Sequence, residues 1–221
     1  MPDNPCKVCV LLSGSGSNLQ ALIDASRQPA SPWQITAVIS DNPTAYGLTR
    51  AHAADVPAIV VAKQPNQSRD DYDRALAREV QEIDPDLVVL AGFMRIIAGP
   101  MIDTFAGRIL NIHPALLPKY KGLNTYERCL AAGDPMHGTT VHFVTLALDD
   151  GPPVIQGEVA VRENDNIDSL KARVQALEHQ IYPMAVRWFA EDRLIMREGQ
   201  AWLDSMPLVE PVTVDAGSLS T

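Results

Sequence analysis

The sequence predicts an α/β fold: a doubly wound, mostly parallel sheet with antiparallel additions in the C-terminal half. Three observations carry this expectation. Up to His113, short apolar runs of strand length alternate with stretches of helical periodicity, the pattern of parallel strands joined by right-handed crossovers. The first run ends in Ser13-Gly14-Ser15-Gly16-Ser17, a tight strand-to-helix connection. Beyond Pro114 the alternation gives way to two neighbouring strand-like runs and one long helical pattern.

Lys7 to Leu12 is the first strand, and Asn18 to Ser26 follows as a helix through Leu19, Leu22 and Ile23. Ile35 to Ser40, Ala58 to Val61 and Leu87 to Ala91 read as strands, separated by helices over Tyr46 to Asp55 and Asp70 to Ile83. Ile109 to His113 is the next strand. Pro114, Pro118 and Gly122 then make a loop, with a short helix over Tyr126 to Ala132 and strands over Thr139 to Val144 and Val154 to Val161. Leu170, Val174, Leu177 and Ile181 place a helix over Ile167 to Phe189, with a kink expected at Pro183. The 221 residues suit one domain, 1–221, and 207–221 reads as a loosely ordered tail because it holds few core formers.

Composition narrows the function classes. The 27 acidic against 18 basic residues give a formal charge of −9, which disfavours a broad nucleic-acid surface and points to small-molecule partners. Cys6, Cys9 and Cys129 are an odd set without paired spacing, so neither a disulfide framework nor a metal site is expected. A reducing, cytoplasmic setting follows, with no membrane partner, since no apolar stretch reaches spanning length. Cys9 lies within an apolar run and reads as a buried, inert thiol.

The Ser13 to Asn18 loop places free backbone N–H groups at a helix start, where an anion is favoured. A dinucleotide fingerprint would need glycine at position 19, which is Leu19, and no phosphate-loop lysine follows. A monophosphate is therefore the better fit; the plainer alternative is a tight turn with Ser17 as helix cap.

Asn111 and His113 alternate with Ile112, so both point to one side of a strand end. Asp149 sits in the turn sequence Leu148-Asp149-Asp150-Gly151. An amide donor, an imidazole and a carboxylate brought together would suit acyl transfer to an amine. Singly, each has a plainer role as a satisfied polar residue or turn former. His142, between Val141 and Phe143, reads as either a second site residue or a strand histidine on the opposite face, with the structural role preferred, and His137 and His52 are read as structural. No nucleophile elbow is present, and Cys129 has no adjacent histidine, so direct transfer is simpler than a covalent intermediate.

Four segments together carry a resemblance: Ser13-Gly14-Ser15-Gly16-Ser17-Asn18-Leu19-Gln20, Leu90-Ala91-Gly92-Phe93-Met94-Arg95-Ile96, Asn111 to Tyr120, and Gly138 to Gly151. From about Lys7 to Trp202 the chain resembles the phosphoribosylglycinamide formyltransferase family of purine biosynthesis, which implies a Rossmann-like formyltransferase fold. The resemblance implies 10-formyltetrahydrofolate as a consumed cosubstrate, with no tightly bound cofactor, and the glycine amine of phosphoribosylglycinamide as acceptor, in a monomer or homodimer. It assigns Gly16, Ser17, Asn18, Leu19, Gln20, Gln175 and Glu178 to the acceptor. Arg69, Met94, Arg95, Ile96, Ile97 and Asn111, with Thr145, Leu146, Ala147, Leu148 and Asp149, are assigned to the folate. Asn111, His113 and Asp149 match the catalytic trio. Glu178 would otherwise be a solvated helix charge, and Phe93, Met94 and Ile96 would otherwise be core. Leu146 departs from the family's usual acidic residue, and Asp150 from a frequent glycine, where it could couple to Asp149 as a like charge.

The expected chemistry is attack of a neutral amine on the formyl carbon, with Asn111 and protonated His113 stabilising the oxyanion and Asp149 supporting the imidazolium. The rivals are a 10-formyltetrahydrofolate hydrolase, a formyltransferase to another amine such as a sugar amine or aminoacyl-tRNA, and a non-catalytic phosphometabolite-binding module.

Overall fold

The computed structural model describes residues 5–97 and 99–215. The chain divides into two compact units, Met1–Asn111 and Ile112–Thr221, and the boundary falls inside the strand Ile109–His113.

In the first unit the order is β1 (Cys6–Leu12), α1 (Ser17–Ser26), β2 (Trp33–Ser40), α2 (Tyr46–Ala53), β3 (Ala58–Val60), α3 (Arg69–Ile83), β4 (Leu87–Leu90), α4 (Gly99–Thr104) and β5 (Ile109–His113). All described pairings are parallel: β1 with β2 and β4, β2 with β3, and β4 with β5. The chain runs outward from β1 to β3 and returns to β4 on the other side of β1. This makes the carboxyl ends of β1 and β4 a topological switch point, the usual place for a ligand in such a sheet. The strands are buried without interruption over Val8 to Leu12 and Leu87 to Leu90, as expected of strands covered on both faces. Helix α4 was not legible in the sequence, because six residues are too few for periodicity to register.

The second unit adds α5 (Thr125–Ala132), β6 (Met136–Phe143), β7 (Pro153–Ala160), α6 (Ile167–Ala190), β8 (Leu194–Arg197), β9 (Gln200–Leu203), β10 (Met206–Pro207) and β11 (Val212–Asp215). β6 and β7 pair antiparallel, the addition expected of the C-terminal half, while β11 joins β7 in parallel. Helix α6 starts with a capping box in which Asn166 and Ser169 each accept the other's backbone N–H. Its Leu170, Val174 and Leu177 pack on Val159, and burying Leu177 contributes about 2 kcal/mol. The helix continues through Pro183, held by buried Ile181, Tyr182, Ala185 and Val186 on either side of it.

Two differences from the sequence reading lie near the C-terminus. β8, β9 and β10 form a separate antiparallel sheet through hairpins at Glu198-Gly199 and Asp204-Ser205, both pairs at positive φ. The stretch read as a loose tail, 207–221, contains β11, where Val212 and Val214 alternate and Val214 is buried. Residues 216–221 lie outside the described residues. Among the described residues, no helix is long and apolar enough to cross a membrane.

Candidate active site

In the first unit the glycine loop is fixed mainly through its carbonyl groups. Gly47 N–H donates to the Gly14 carbonyl at 3.0 Å, and Arg50 Nε donates to the Ser15 carbonyl at 3.0 Å. Arg50 also reaches the Gln20 side-chain oxygen at 3.1 Å. Helix α1 is capped by Gly16, at φ 69°, not by Ser17 as the plainer reading had it, and the cap makes no side-chain hydrogen bond. A Cβ on Gly16 would stand 2.6 Å from the Gly47 Cα, so the loop and α2 approach more closely than any other residue permits. Leu19 is fully buried, so only its backbone can serve a ligand.

The loop is also tied to the segment after β4. Ser13 N–H donates to the Gly92 carbonyl at 3.1 Å, and Met94 N–H donates to Ser13 Oγ at 2.9 Å. Arg69, Met94, Arg95 and Ile96 line one cleft of about 260 Å³ with Lys63, Tyr72 and Asp73. Met94 and Ile96 are exposed, which removes the core-packing alternative for both, whereas Phe93 and Ile97 are buried. Lys63, Tyr72 and Asp73 were missed from sequence. Tyr72 and Asp73 follow Arg69 by three and four residues, a spacing that puts all three on one helix face and could have flagged them. Asp73 is buried and its carboxyl sits above its ordinary range because of that burial, opposed by the Arg69 charge.

In the second unit His113 and Asp149 meet: Nδ1 lies 3.4 Å from Asp149 Oδ2, with the two side chains 7% and 9% exposed. The other ring nitrogen, Nε2, lies 2.9 Å from the Tyr120 carbonyl, which can only accept, so Nε2 carries a proton. Gly122 N–H donates to Asp149 Oδ2 at 2.8 Å. The loop after β5 thus supplies one acceptor and one donor to the pair. Thr139 Oγ1 donates to the His113 carbonyl at 3.0 Å and Thr140 Oγ1 donates to the Ala115 carbonyl, which fixes the backbone on either side of Pro114. Asp149 itself is at φ 49°, in a turn closed by Asp150 N–H to the Ala147 carbonyl, a conformation Asp tolerates better than most residues. Asn111 stands two residues before His113 on β5 and is half-buried.

His142, for which the structural role was preferred over a place in the site, has its Nε2 3.9 Å from Asp149 Oδ1. Its Nδ1 donates to the Phe143 carbonyl at 2.9 Å, and burial holds its pKa down at about 4, so it is neutral near pH 7. His137 is also buried and neutral, with a pKa near 4 for the same reason, and packs edge-on against Tyr120 and Tyr126. His52 is exposed on α2. Cys9 is inert as expected, its thiol pushed up to about 12 by burial.

Glu178 on α6 is 5% exposed, which corrects the default reading of a solvated charge. Burial, with the Glu178 charge second, pushes the Tyr126 phenol up. Gln175, one turn earlier, is half-buried. In the 145–149 loop Leu146, Ala147 and Leu148 are exposed. The Asp150 carboxylate pairs with Lys121 Nζ. Among the described residues no cluster of His, Cys, Asp and Glu could hold a metal ion.

Comparison with known proteins gives a consistent result. Residues 6–186 match the Formyl transferase family. The phosphoribosylglycinamide formyltransferase of Escherichia coli is 48% identical over 201 residues, which span 91% of this chain and 95% of that protein. The protein of that name from Haemophilus influenzae is 45% identical, with the same coverage of both chains. Among solved structures, the phosphoribosylglycinamide formyltransferase of Coxiella burnetii superposes with a TM-score of 0.90 at 44% identity, covering 95% of this chain and 99% of that one.

Proposed function

Because the chain belongs to the formyl transferase family, and within it to the phosphoribosylglycinamide formyltransferases, we propose that it transfers the formyl group of 10-formyltetrahydrofolate to the glycine amine of phosphoribosylglycinamide, a step of purine biosynthesis. The single observation that carries the chemistry is the buried His113–Asp149 pair at 3.4 Å. Two oxygen acceptors, Asp149 and the Tyr120 carbonyl, face the two ring nitrogens, an arrangement that a doubly protonated imidazolium satisfies.

The neutral amine attacks the formyl carbon, and the carbonyl π pair moves onto oxygen. Asn111 donates an amide N–H to that oxygen, and the His113 Nε2–H turns from the Tyr120 carbonyl to it. Asp149 holds the imidazolium in place. The C–N10 bond then breaks, N10 receives the proton lost by the amine, and tetrahydrofolate leaves. Gly16, Ser17, Asn18, Leu19 and Gln20 take the phosphate of the acceptor through the α1 start, while Gln175 and Glu178 take its ribose or ammonium side. Arg69, Met94, Arg95, Ile96 and Ile97 take the folate together with Thr145, Leu146, Ala147, Leu148 and Asp149.

The test follows folate absorbance in purified protein with and without phosphoribosylglycinamide. Acceptor-dependent formation of tetrahydrofolate is the expected outcome. Formate release without acceptor would assign a hydrolase instead, and binding of both ligands without turnover would leave only a binding module.

A further inference from the structure

The cleft of the first unit contains one charge arrangement that formyl transfer does not require. Arg95 Nε lies 2.8 Å from Asp41 Oδ2, and the guanidinium carbon sits 4.7 Å above the Tyr72 ring. Three separate segments converge here: Asp41 directly follows β2, Tyr72 is on α3, and Arg95 follows β4. An exposed pair of this kind would contribute little, but the Asp41 side chain is only 11% exposed and the ring covers one face of the guanidinium. Asp41 Oδ1 and Arg95 Nε are both buried and make no hydrogen bond, so the contact is an ion pair. A carboxylate held under those conditions loses solvation, so its place is explained by what it does to Arg95.

The second guanidinium of the cleft is held as well. Arg69 Nη2 donates to the Ile96 carbonyl at 3.3 Å, and its Nε lies 3.7 Å from Asp73 Oδ2. With Lys63, the cleft therefore presents three cations, two of them fixed in direction before any ligand arrives. The complementary chemistry is a carboxylate-bearing chain.

We infer that Asp41 is a positioning residue for the formyl donor: by pinning the Arg95 guanidinium against Tyr72, it keeps a cationic wall ready for the carboxylates of the donor's glutamate tail. This inference rests on the reading of the cleft as part of the folate site. Without Asp41, Arg95 would regain its rotamers and lose them again on each binding event, so the cost falls on donor affinity and not on the chemical step.

Steady-state kinetics of wild type, Asp41→Ala and Asp41→Asn with 10-formyltetrahydrofolate, and with the corresponding tetrahydropteroate that lacks glutamate, decide the matter. Asp41→Ala should raise the donor KM about five- to tenfold, leaving kcat and the acceptor KM within about twofold. Asp41→Asn, which keeps an oxygen acceptor for the guanidinium, should fall between. All three proteins should share one KM for the tail-less donor. A donor KM that is unchanged or lowered would show that Asp41 is neutral or competes with the ligand, and would overturn the inference. So would an equal rise for the tail-less donor, or a fall in kcat at constant KM. Calorimetric titration of tetrahydrofolate gives the same affinity ratio without turnover. If wild type transferred no formyl group, the proposed reaction would fail while that ratio still decided the role of Asp41.

Discussion

The Arg69–Arg95 cleft and the His113–Asp149 pair use opposite means to hold functional side chains in place. In the cleft, the exposed Arg69 and the half-buried Arg95 are steadied by neighbouring carboxylates and a ring, and two apolar side chains, Met94 and Ile96, are left open to solvent. Around His113, the working groups are buried, and backbone groups fix them: the Tyr120 carbonyl, the Gly122 N–H and the strand held by Thr139 and Thr140. Ion pairs at the edge of a cleft hold a cation in direction while leaving it open to an incoming ligand, which suits binding. Buried hydrogen bonds to main chain hold the Asp149 carboxylate and the His113 backbone, so that only the Nε2–H of His113 has to exchange the Tyr120 carbonyl for another oxygen, and chemistry that stabilises a transient charge depends on such preorganisation.

The largest effect should therefore come from the buried set. On the mechanism proposed above, His113→Ala in the buried pair, or Asn111→Ala beside it on β5, would take one donor from the oxyanion and is expected to lower kcat on the order of 10²–10³-fold, with the donor KM nearly unchanged. Single-turnover measurement checks this, and a loss of only a few-fold would show that these residues bind without stabilising the transition state. Gly16→Ala tests the backbone-built part of the first unit. Its φ of 69° and a Cβ 2.6 Å from the Gly47 Cα imply about 2–4 kcal/mol of destabilisation. The acceptor KM should rise with it; urea unfolding and acceptor titration measure the two separately.

How much of this the sequence disclosed depends on how far the structure departs from simple periods. The alternation around Ile112 placed Asn111 and His113 on one side of a strand, and the turn residues after Leu148 placed Asp149 in a loop, because periodicity and turn chemistry are local. The parallel strands up to β5 were legible for the same reason. The nearness of His142 to Asp149, 3.9 Å from Nε2, depends on where a loop returns Asp149, which no spacing along β6 reveals. Tyr120 and Gly122 escaped notice because they act through main-chain atoms, for which side-chain identity carries no signal. Glu178 looked like a solvated helix charge because its surroundings come from another helix. The strands β8 to β11 are two to four residues long, below the length at which alternation can be distinguished from chance.

The buried histidines extend the comparison to pH. His137 and His142 have pKa values lowered from 6.5 to about 4, first by burial. A depressed value means the unfolded chain takes up protons that the folded chain refuses, so the stability these residues allow is complete above pH 6.5 and declines as pH falls toward 4. At about pH 5 each should account for a loss of about 2 kcal/mol relative to pH 7.5. His137→Phe should narrow the stability difference between those two conditions by that amount in urea titrations. An unchanged difference would mean that His137 gains its proton without unfolding, through a partner in the folded state.

The smallest effect is expected where the two modes of support lie side by side. Asp149 accepts the Gly122 N–H at 2.8 Å in a mostly buried setting, while the next residue, Asp150, pairs with Lys121 at the surface, 57% exposed. The carboxylate of Asp150 is thus occupied by a cation, so the charge beside Asp149 has its own counterion. Asp150→Asn removes only the exposed pair and should change kcat/KM by less than about fivefold. In about 0.5 M salt the difference from wild type should disappear, because screening already weakens such a pair. Asp149→Asn, which leaves the adjacent pair intact, should remain defective at every ionic strength. If Asp150→Asn instead matched Asp149→Asn and resisted salt, the Lys121–Asp150 contact would have to be counted with the buried set, and the division between groups held by ion pairs and groups held by main chain would fail at this loop.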